Sequence, residues 1–138
     1  MSATHINDRS SRSHTIFLLE VIAERKDGVT KKAKLNLIDL AGSEKYDNIG
    51  SSEGLHREST HINKSLHHLS NCIKSLSEGH KFVSFRGSKL THYLKDTLSG
   101  NSNTVLICTG SHQKINYQHT KMTLEFGVRA SKVKTKPV

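Results

Sequence analysis

Residues 35–44 read LNLIDLAGSE, an apolar run with strand-like character that ends in Asp39 and is followed three residues later by Gly42. A buried strand that ends in a carboxylate can deliver it to the edge of a sheet, where Mg²⁺ with its waters can sit. A glycine there offers a backbone N–H with no side chain in the way, so a phosphate can approach closely. Aspartate and glycine are also turn formers, so this stretch by itself equally fits an ordinary turn.

Two other stretches lie on either side of this one: NDRSSRSH at residues 7–14 and INKSL at residues 62–66. Together the three stretches resemble the kinesin motor domain. The first stretch is similar to the switch I of that domain, and DLAGSE at residues 39–44 is similar to its switch II. The segment from Glu58 through INKSL is similar to the last part of the family's loop 11 together with the main microtubule-binding helix that follows it. Further similarities follow in the family's order, at residues 85–91, 96–101 and 126–130. The resemblance covers nearly the whole chain and corresponds to the later part of that domain.

The resemblance implies an α/β fold: part of a kinesin-type P-loop NTPase motor, with a central mixed sheet flanked by helices and its N-terminal part absent. We expect a single domain over residues 1–138, in which 132–138 begin a neck-linker-like tail. The implied function is that of a microtubule-based motor whose complete form couples ATP hydrolysis to movement. The alternative is a non-enzymatic microtubule-binding module that descends from a motor.

The chain has no GxxxxGK[ST] loop, since none of its nine glycines is followed by lysine. The amides and lysine of such a loop cradle the β- and γ-phosphates. We therefore expect the isolated chain not to hydrolyse ATP, and we expect the absent N-terminal part of the motor domain to be a partner. Dimerisation, if any, would use regions outside this chain. The implied localisation is cytoplasmic, on the microtubule cytoskeleton.

The resemblance assigns roles around ATP and Mg²⁺ to five residues. Ser11 corresponds to a hydroxyl that ligates the magnesium, and Ser10 and Asn7 to groups that contact or order the phosphate end of the nucleotide. Asp39 would hold Mg²⁺ through water, and the Gly42 N–H would sense the γ-phosphate. Without the resemblance, the serine cluster would read as a solvent-facing loop.

Arg12 and Glu44 correspond to a salt bridge between the two switches of kinesins, which closes around the γ-phosphate and helps to position the attacking water. Together with Ser11 and Gly42 they form the expected catalytic set. As an isolated exposed pair, an arginine and a glutamate would contribute only about 0–1 kcal/mol. His14 is expected to be a structural partner at the start of the following strand rather than a catalytic base.

The chain carries a formal charge of +9, a pI of 9.7 and ten histidines, which favours an anionic partner. Residues 61–95 contain six lysines and arginines in total and a single acidic residue, a glutamate. Nucleic acid is a weak candidate, because only 5% of residues are aromatic and no stacking or groove-reading motif appears. By resemblance, tubulin contacts are expected at Asn63, Lys64, Arg86, Lys89, His92 and Lys95, with Asn63 also coupling its helix to the nucleotide state.

Residue pattern predicts three strands and three helices. The strands are 15–23 and 33–40, joined as a hairpin by a turn at 26–28, and 104–109. The helices are 58–76, which Gly79 ends, 89–98 after an N-cap at Ser88, and 120–133 after an N-cap at Thr120. In the first helix, the apolar stripe consists of Ile62, Leu66, Leu69, Ile73 and Leu76.

Only 33% of residues are hydrophobic and mean hydropathy is −0.53, so we expect a thin core and marginal stability of the isolated chain. The two cysteines, Cys72 and Cys108, have no metal-ligand spacing and are expected to be small buried residues in a reducing compartment. Two departures from the family are relevant below: Gly87 replaces the aspartate of its RDSK motif, and Gly110-Ser111-His112 replaces an S-P turn.

Overall fold

The computed structural model of the chain describes residues 13–42, 53–100 and 102–135, with the backbone alone for 53–62. It forms two compact units, Met1–Gly42 and Ser43–Val138. The described strands lie in the first unit and the described helices in the second. The prediction of a single domain stays a prediction. No helix among the described residues is long and apolar enough to cross a bilayer.

The first unit is a two-stranded antiparallel ribbon, as the sequence predicted. β1 (Thr15–Glu24) pairs with β2 (Thr30–Asp39) in a register that runs from Thr15 opposite Asp39 to Glu24 opposite Thr30. The turn fixes this register: Gly28 adopts φ +81°, the left-handed conformation that glycine tolerates, and the Asp27 carboxylate accepts from the Val29 N–H at 3.1 Å. β2 begins three residues before the predicted strand and ends one residue before its predicted end.

The two faces of the ribbon differ in character, because successive side chains of a strand point to opposite sides. One face ends in the pairs Thr15–Asp39 and Ala23–Lys31, and between these ends it carries only apolar residues, in the cross-strand pairs Phe17–Leu37, Leu19–Leu35 and Val21–Ala33. We call these six residues the apolar face; its five large side chains are between 42% and 56% exposed. The other face is mixed, with Glu20 and Lys34 forming an ion pair at 4.0 Å. A contiguous exposed apolar surface of this kind usually marks a contact surface.

The second unit is organised around α1 (Glu53–Ser77), which begins five residues before the predicted start at 58 and ends one residue after the predicted end. Its end is a Schellman motif: the His80 N–H donates to the Ser75 carbonyl and the Gly79 N–H to the Leu76 carbonyl. Gly79 adopts φ +71°, which confirms the predicted stop.

The core of this unit is small and lies between α1 and the segment that follows it. Leu69 and Ile73 of the predicted stripe are buried, while Leu66 and Leu76 are half-buried. The side chain of Ile62, the other member of the stripe, lies outside the described residues. Burial raises the pKa of the Cys72 thiol, which donates to the Ser84 carbonyl at 3.4 Å. The other buried residues, among those of this unit whose side chains the structure describes, are Phe85, Leu90, Thr91 and Leu94.

The predicted helix 89–98 is wrong as a single element. The chain forms α2 (Lys89–Tyr93) and α3 (Lys95–Ser99), separated by Leu94 at φ −78°, ψ −2°. Leu94 is buried, so tertiary packing holds it in a conformation that local propensity does not signal. Ser88 caps α2 as predicted: its hydroxyl accepts from the Thr91 N–H at 3.1 Å.

The predicted strand 104–109 is also wrong, because residues 102–112 form neither helix nor strand. A strand needs a neighbour for its backbone groups, and none of the described segments pairs with this one. Its apolar side chains are left in solvent, with Val105 87% and Ile107 83% exposed. Cys108 is exposed as well, so the prediction that both cysteines are buried is wrong for this one.

The last helix, α4, spans Tyr117–Ala130 and follows a short 3₁₀ turn, Lys114–Asn116. It was predicted at 120–133 with Thr120 as its N-cap, but Thr120 lies inside the helix and Asn116 is the capping residue. The Thr120 hydroxyl is used elsewhere: it donates to the Ser111 carbonyl and accepts from the Ser111 N–H, both at 3.0 Å. This pair of bonds anchors α4 to the loop before it.

Candidate functional site

The carboxyl end of β2 presents an acidic group in solvent. Asp39 is the last residue of the strand, pairs with Thr15 at the start of β1, and is exposed. Ala41, two residues further, is only 5% exposed, and Gly42 is half-buried. The ribbon therefore fixes the position at which the Asp39 side chain enters solvent, and Ala41 just after it is buried.

A hydrogen bond between the two ends of the ribbon holds this backbone. The Ala41 N–H donates to Nδ1 of His14, the residue directly before β1, at 3.0 Å. Because Nδ1 accepts here, a neutral imidazole carries its proton on Nε2. Burial lowers the pKa of His14, which favours the neutral form that the bond requires. The sequence predicted a structural role for His14 at the start of the strand, but it did not identify Ala41 as the partner, because no sequence pattern links two residues 27 positions apart.

Asp39 and Gly42 are thus the described members of the predicted nucleotide site. Five other members lie outside the described residues: Asn7, Ser10, Ser11, Arg12 and Glu44. The salt bridge between Arg12 and Glu44 stays a prediction.

The chemistry of the described residues fits a hydrated cation beside a phosphate. Among the described residues the Asp39 carboxylate makes no hydrogen bond or ion pair, so its oxygens are available to the waters around Mg²⁺. Gly42 has no Cβ to block the approach of a phosphate oxygen to its N–H. Ser11, the predicted direct ligand of the magnesium, lies outside the described residues.

The predicted tubulin contacts all lie in the second unit, on elements that pack against one another: α1, the 3₁₀ turn Phe85–Gly87, α2 and α3. The five cationic or ionisable members have exposed side chains: Lys64, Arg86, Lys89, His92 and Lys95. Asn63 is half-buried. In the described part of the chain these five have no ion pair with an acidic residue. We call these five exposed side chains the basic surface.

The capping of α2 fixes where two of these cations leave the backbone. Thr91, with no exposed surface, donates its hydroxyl to the Phe85 carbonyl at 2.7 Å and accepts from the Ser88 N–H at 3.1 Å. These bonds tie the first turn of α2 to the 3₁₀ turn before it. Arg86 and Lys89 are therefore carried on a short, internally bonded segment rather than on a free loop.

Sequence reasoning also missed a close contact in this segment. The imidazole of His68 on α1 lies against Gly87, so that a Cβ atom at Gly87 would be 2.8 Å from His68 Cε1 and 2.9 Å from Cγ. The replacement of the family's aspartate by Gly87 was the available signal. It indicated that the position was unusual, but it did not indicate which side chain occupies the space.

Comparison with known proteins finds one family over nearly the whole chain. The model of the kinesin motor domain family matches residues 1–133. Kinesin-related protein 5 of Dictyostelium discoideum is 42% identical over 135 residues, and the human Kinesin-1 heavy chain is 43% identical over 135 residues. Each alignment covers 97% of this chain and 14% of the relative, so the chain spans about one seventh of the length of these curated relatives.

Solved structures agree with the sequence matches. A fast kinesin superposes with a TM-score of 0.83 at 42% identity, over 98% of this chain and 39% of that one. The motor and motor homology domain of Kar3Vik1, fused to a synthetic heterodimeric coiled coil, gives 0.78 at 35% identity, over 94% of this chain and 35% of that one. The chain therefore belongs to the kinesin family, and its α/β fold is that of part of a kinesin motor domain.

Proposed function

We propose that the chain is the switch and microtubule-binding part of a microtubule-based motor that, when complete, couples ATP hydrolysis to movement. The observation that carries the proposal is the end of β2, where the carboxylate of Asp39, three residues before Gly42, makes no hydrogen bond or ion pair with any residue that the structure describes. Membership of the kinesin family supports it.

Each residue has a defined part in this proposal. Mg-ATP, when bound, supplies the γ-phosphoryl group that hydrolysis removes. Asp39 and Ser11 would hold the magnesium, Asp39 through water, and Ser10 and Asn7 would contact the phosphate end of the nucleotide. The Gly42 N–H would hydrogen-bond to the γ-phosphate. Loss of that hydrogen bond after hydrolysis would release the switch loops, as in other nucleotide switches.

Arg12 and Glu44 complete the site by pairing across the two switches. Their pairing would close the site around the γ-phosphate and help to position the attacking water. The energy of such a pair depends on its environment: about 0–1 kcal/mol when exposed and more when water is excluded. We therefore expect their pairing to be strongest in the nucleotide-bound motor.

The basic surface is proposed to bind microtubules, which would place the motor on the microtubule cytoskeleton. Its exposed cations would meet the acidic surface of tubulin, so binding weakens as salt is added. Asn63, which is half-buried, would couple α1 to the nucleotide state rather than contribute charge. The Kar3Vik1 structure includes a heterodimeric coiled coil; a dimer of this protein would likewise form outside the present residues.

We propose the rest of the motor domain as a second partner. The apolar face of the ribbon and the side chains of Val105 and Ile107 are exposed, although all of them have the character of sheet core. Strands of that part would pair with the open edges, and its helices would cover the exposed apolar side chains. They would also bring the phosphate-binding loop that this sequence lacks, so the chain by itself is expected to be inactive as an ATPase.

The decisive experiment joins this chain to the N-terminal part of a kinesin motor domain. The purified reconstruction should hydrolyse ATP faster with microtubules, and Glu44→Ala should abolish that stimulation without changing the melting temperature. Absence of stimulation in a well-folded reconstruction would overturn the motor proposal. If the chain co-sediments with microtubules in a salt-sensitive and ATP-insensitive manner while the reconstruction stays inactive, it is instead the non-enzymatic binding module.

A further inference from the structure

His14 and Ala41 join the two segments that the nucleotide site is built from. His14 is the last residue of the switch I-like run, and Ala41 directly precedes Gly42 in the switch II-like run. Their hydrogen bond, 3.0 Å from the Ala41 nitrogen to His14 Nδ1, spans the open end of the ribbon, where the last ladder pair is Thr15 with Asp39. It is a side-chain bond placed where the backbone ladder stops.

We propose that His14 is a positioning residue: by accepting from the Ala41 N–H, it holds the Leu40–Ala41 peptide, directly before the peptide that carries the Gly42 N–H, and so restricts the direction in which that N–H is presented to the γ-phosphate. This inference rests on the proposed function of Gly42. His14 itself touches neither the nucleotide nor the attacking water in this proposal.

The physical reason lies in the backbone angles of Ala41. The direction of the Gly42 N–H relative to the Leu40–Ala41 peptide is set by φ and ψ of Ala41. Fixing the Leu40–Ala41 peptide therefore removes, before the ligand arrives, part of the conformational entropy that ordering the Gly42 N–H would otherwise cost. Ala41 is buried and cannot obtain the same bond from water, so a side chain without an acceptor would leave its N–H unpaired.

The direction of the bond also restricts which residue can do this. An imidazole with its proton on Nε2 presents Nδ1 as an acceptor, and burial favours that neutral form. Asparagine places its Oδ1 as many bonds from the backbone as Nδ1 of histidine. His14→Asn should therefore retain the bond, whereas His14→Leu keeps bulk and loses the acceptor.

The first measurement tests the geometry on the chain alone, by amide hydrogen exchange. The Ala41 N–H should exchange roughly tenfold faster or more in His14→Leu than in the wild type, and His14→Asn should restore slow exchange. His112→Leu, at an exposed position outside the ribbon, is the matched control and should leave Ala41 unchanged. Equal exchange of Ala41 in the wild type and His14→Leu would overturn the proposal.

The second measurement uses the reconstructed motor and needs binding rather than turnover. The preference for a non-hydrolysable ATP analogue over ADP should fall by about tenfold in His14→Leu and recover in His14→Asn, as expected for one hydrogen bond. An unchanged preference in a folded His14→Leu motor, despite faster exchange at Ala41, would mean that the bond only supports the fold.

The two proposals fail in different ways. A wild-type reconstruction that binds the analogue selectively but does not hydrolyse ATP contradicts the motor proposal and still reports on His14. If the wild-type reconstruction binds the ATP analogue no better than ADP, the proposed role of Gly42 is contradicted, and the proposed role of His14 is overturned with it.

Discussion

The imidazole of His68 fills the space above Gly87 that a side chain would need. A Cβ atom at Gly87 would lie within 3 Å of His68 Cε1 and Cγ, closer than non-bonded carbons approach. Gly87 does not have a positive φ, so the position requires glycine because of its neighbour and not because of its backbone. The contact gives a steric reason for the departure from the aspartate in the family's RDSK motif.

We expect Gly87→Ala and Gly87→Asp each to lower the free energy of unfolding by about 1–3 kcal/mol, the usual cost of overpacking. In a His68→Ala background the cost should be largely relieved, which a double-mutant cycle measures by urea denaturation. His112→Ala, paired with Gly87→Ala, serves as the control and should be additive. Additivity of the His68 and Gly87 substitutions would contradict the contact.

Thr91→Val should destabilise the second unit by about 1–3 kcal/mol, because its buried hydroxyl satisfies both the Phe85 carbonyl and the Ser88 N–H. Valine has the same shape and leaves both groups unpaired. Ser99→Ala is the control, since the Ser99 hydroxyl donates to the Lys95 carbonyl at an exposed site. Chemical denaturation should show a lower free energy of unfolding for Thr91→Val and little change for Ser99→Ala. Equal stability of Thr91→Val and the wild type would contradict the prediction.

Thr120→Val should loosen the junction between the loop and α4 and cost about 1–2 kcal/mol, because it removes both bonds to Ser111. Thr123→Val is a matched control three residues along the same helix, where the hydroxyl donates only to the His119 carbonyl. Hydrogen exchange measures the effect at the site itself: the Ser111 amide should exchange faster in Thr120→Val than in Thr123→Val. A Ser111 amide that exchanges equally in both variants would show that these bonds do not hold the loop.

The two cysteines should differ sharply in reactivity. The Cys72 thiol is buried, donates to a carbonyl, and has a raised pKa, so little thiolate forms near neutral pH; Cys108 is exposed. A thiol reagent should therefore modify Cys108 much faster, and Cys108→Ser should leave only the slow phase. In the reconstructed motor Cys108 should become protected if residues 104–109 join a sheet. Fast labelling of Cys108 there would contradict our proposal for the missing neighbours.

Elements held together by local signals could be predicted from the sequence. The ribbon follows from strand-forming residues on both sides of Asp27-Gly28, and the end of α1 from Gly79. Ser88 is a local signal too, because an N-cap bonds within its own first turn.

Elements decided by distant partners could not be predicted. Residues 104–109 have the composition of a strand, but composition does not supply the neighbour that a strand needs. Thr120 has the residue type of an N-cap, yet its hydroxyl is engaged by Ser111. At the candidate site, the motif pointed to Asp39 and Gly42, whereas the bond that holds the backbone beside them depends on the closure of the ribbon.

The ribbon has a kinetic consequence. All of its pairing is local, closed by a short turn between β1 and β2, and hairpins of this kind form in about 1–10 μs. A sheet completed by distant strands forms far more slowly, because long loops must close first. The ribbon is therefore expected to form early and to remain with both edges and its apolar face open until the remaining strands arrive. During that interval, pairing with another copy competes with correct assembly, so the yield of folded motor should fall as the protein concentration during refolding rises.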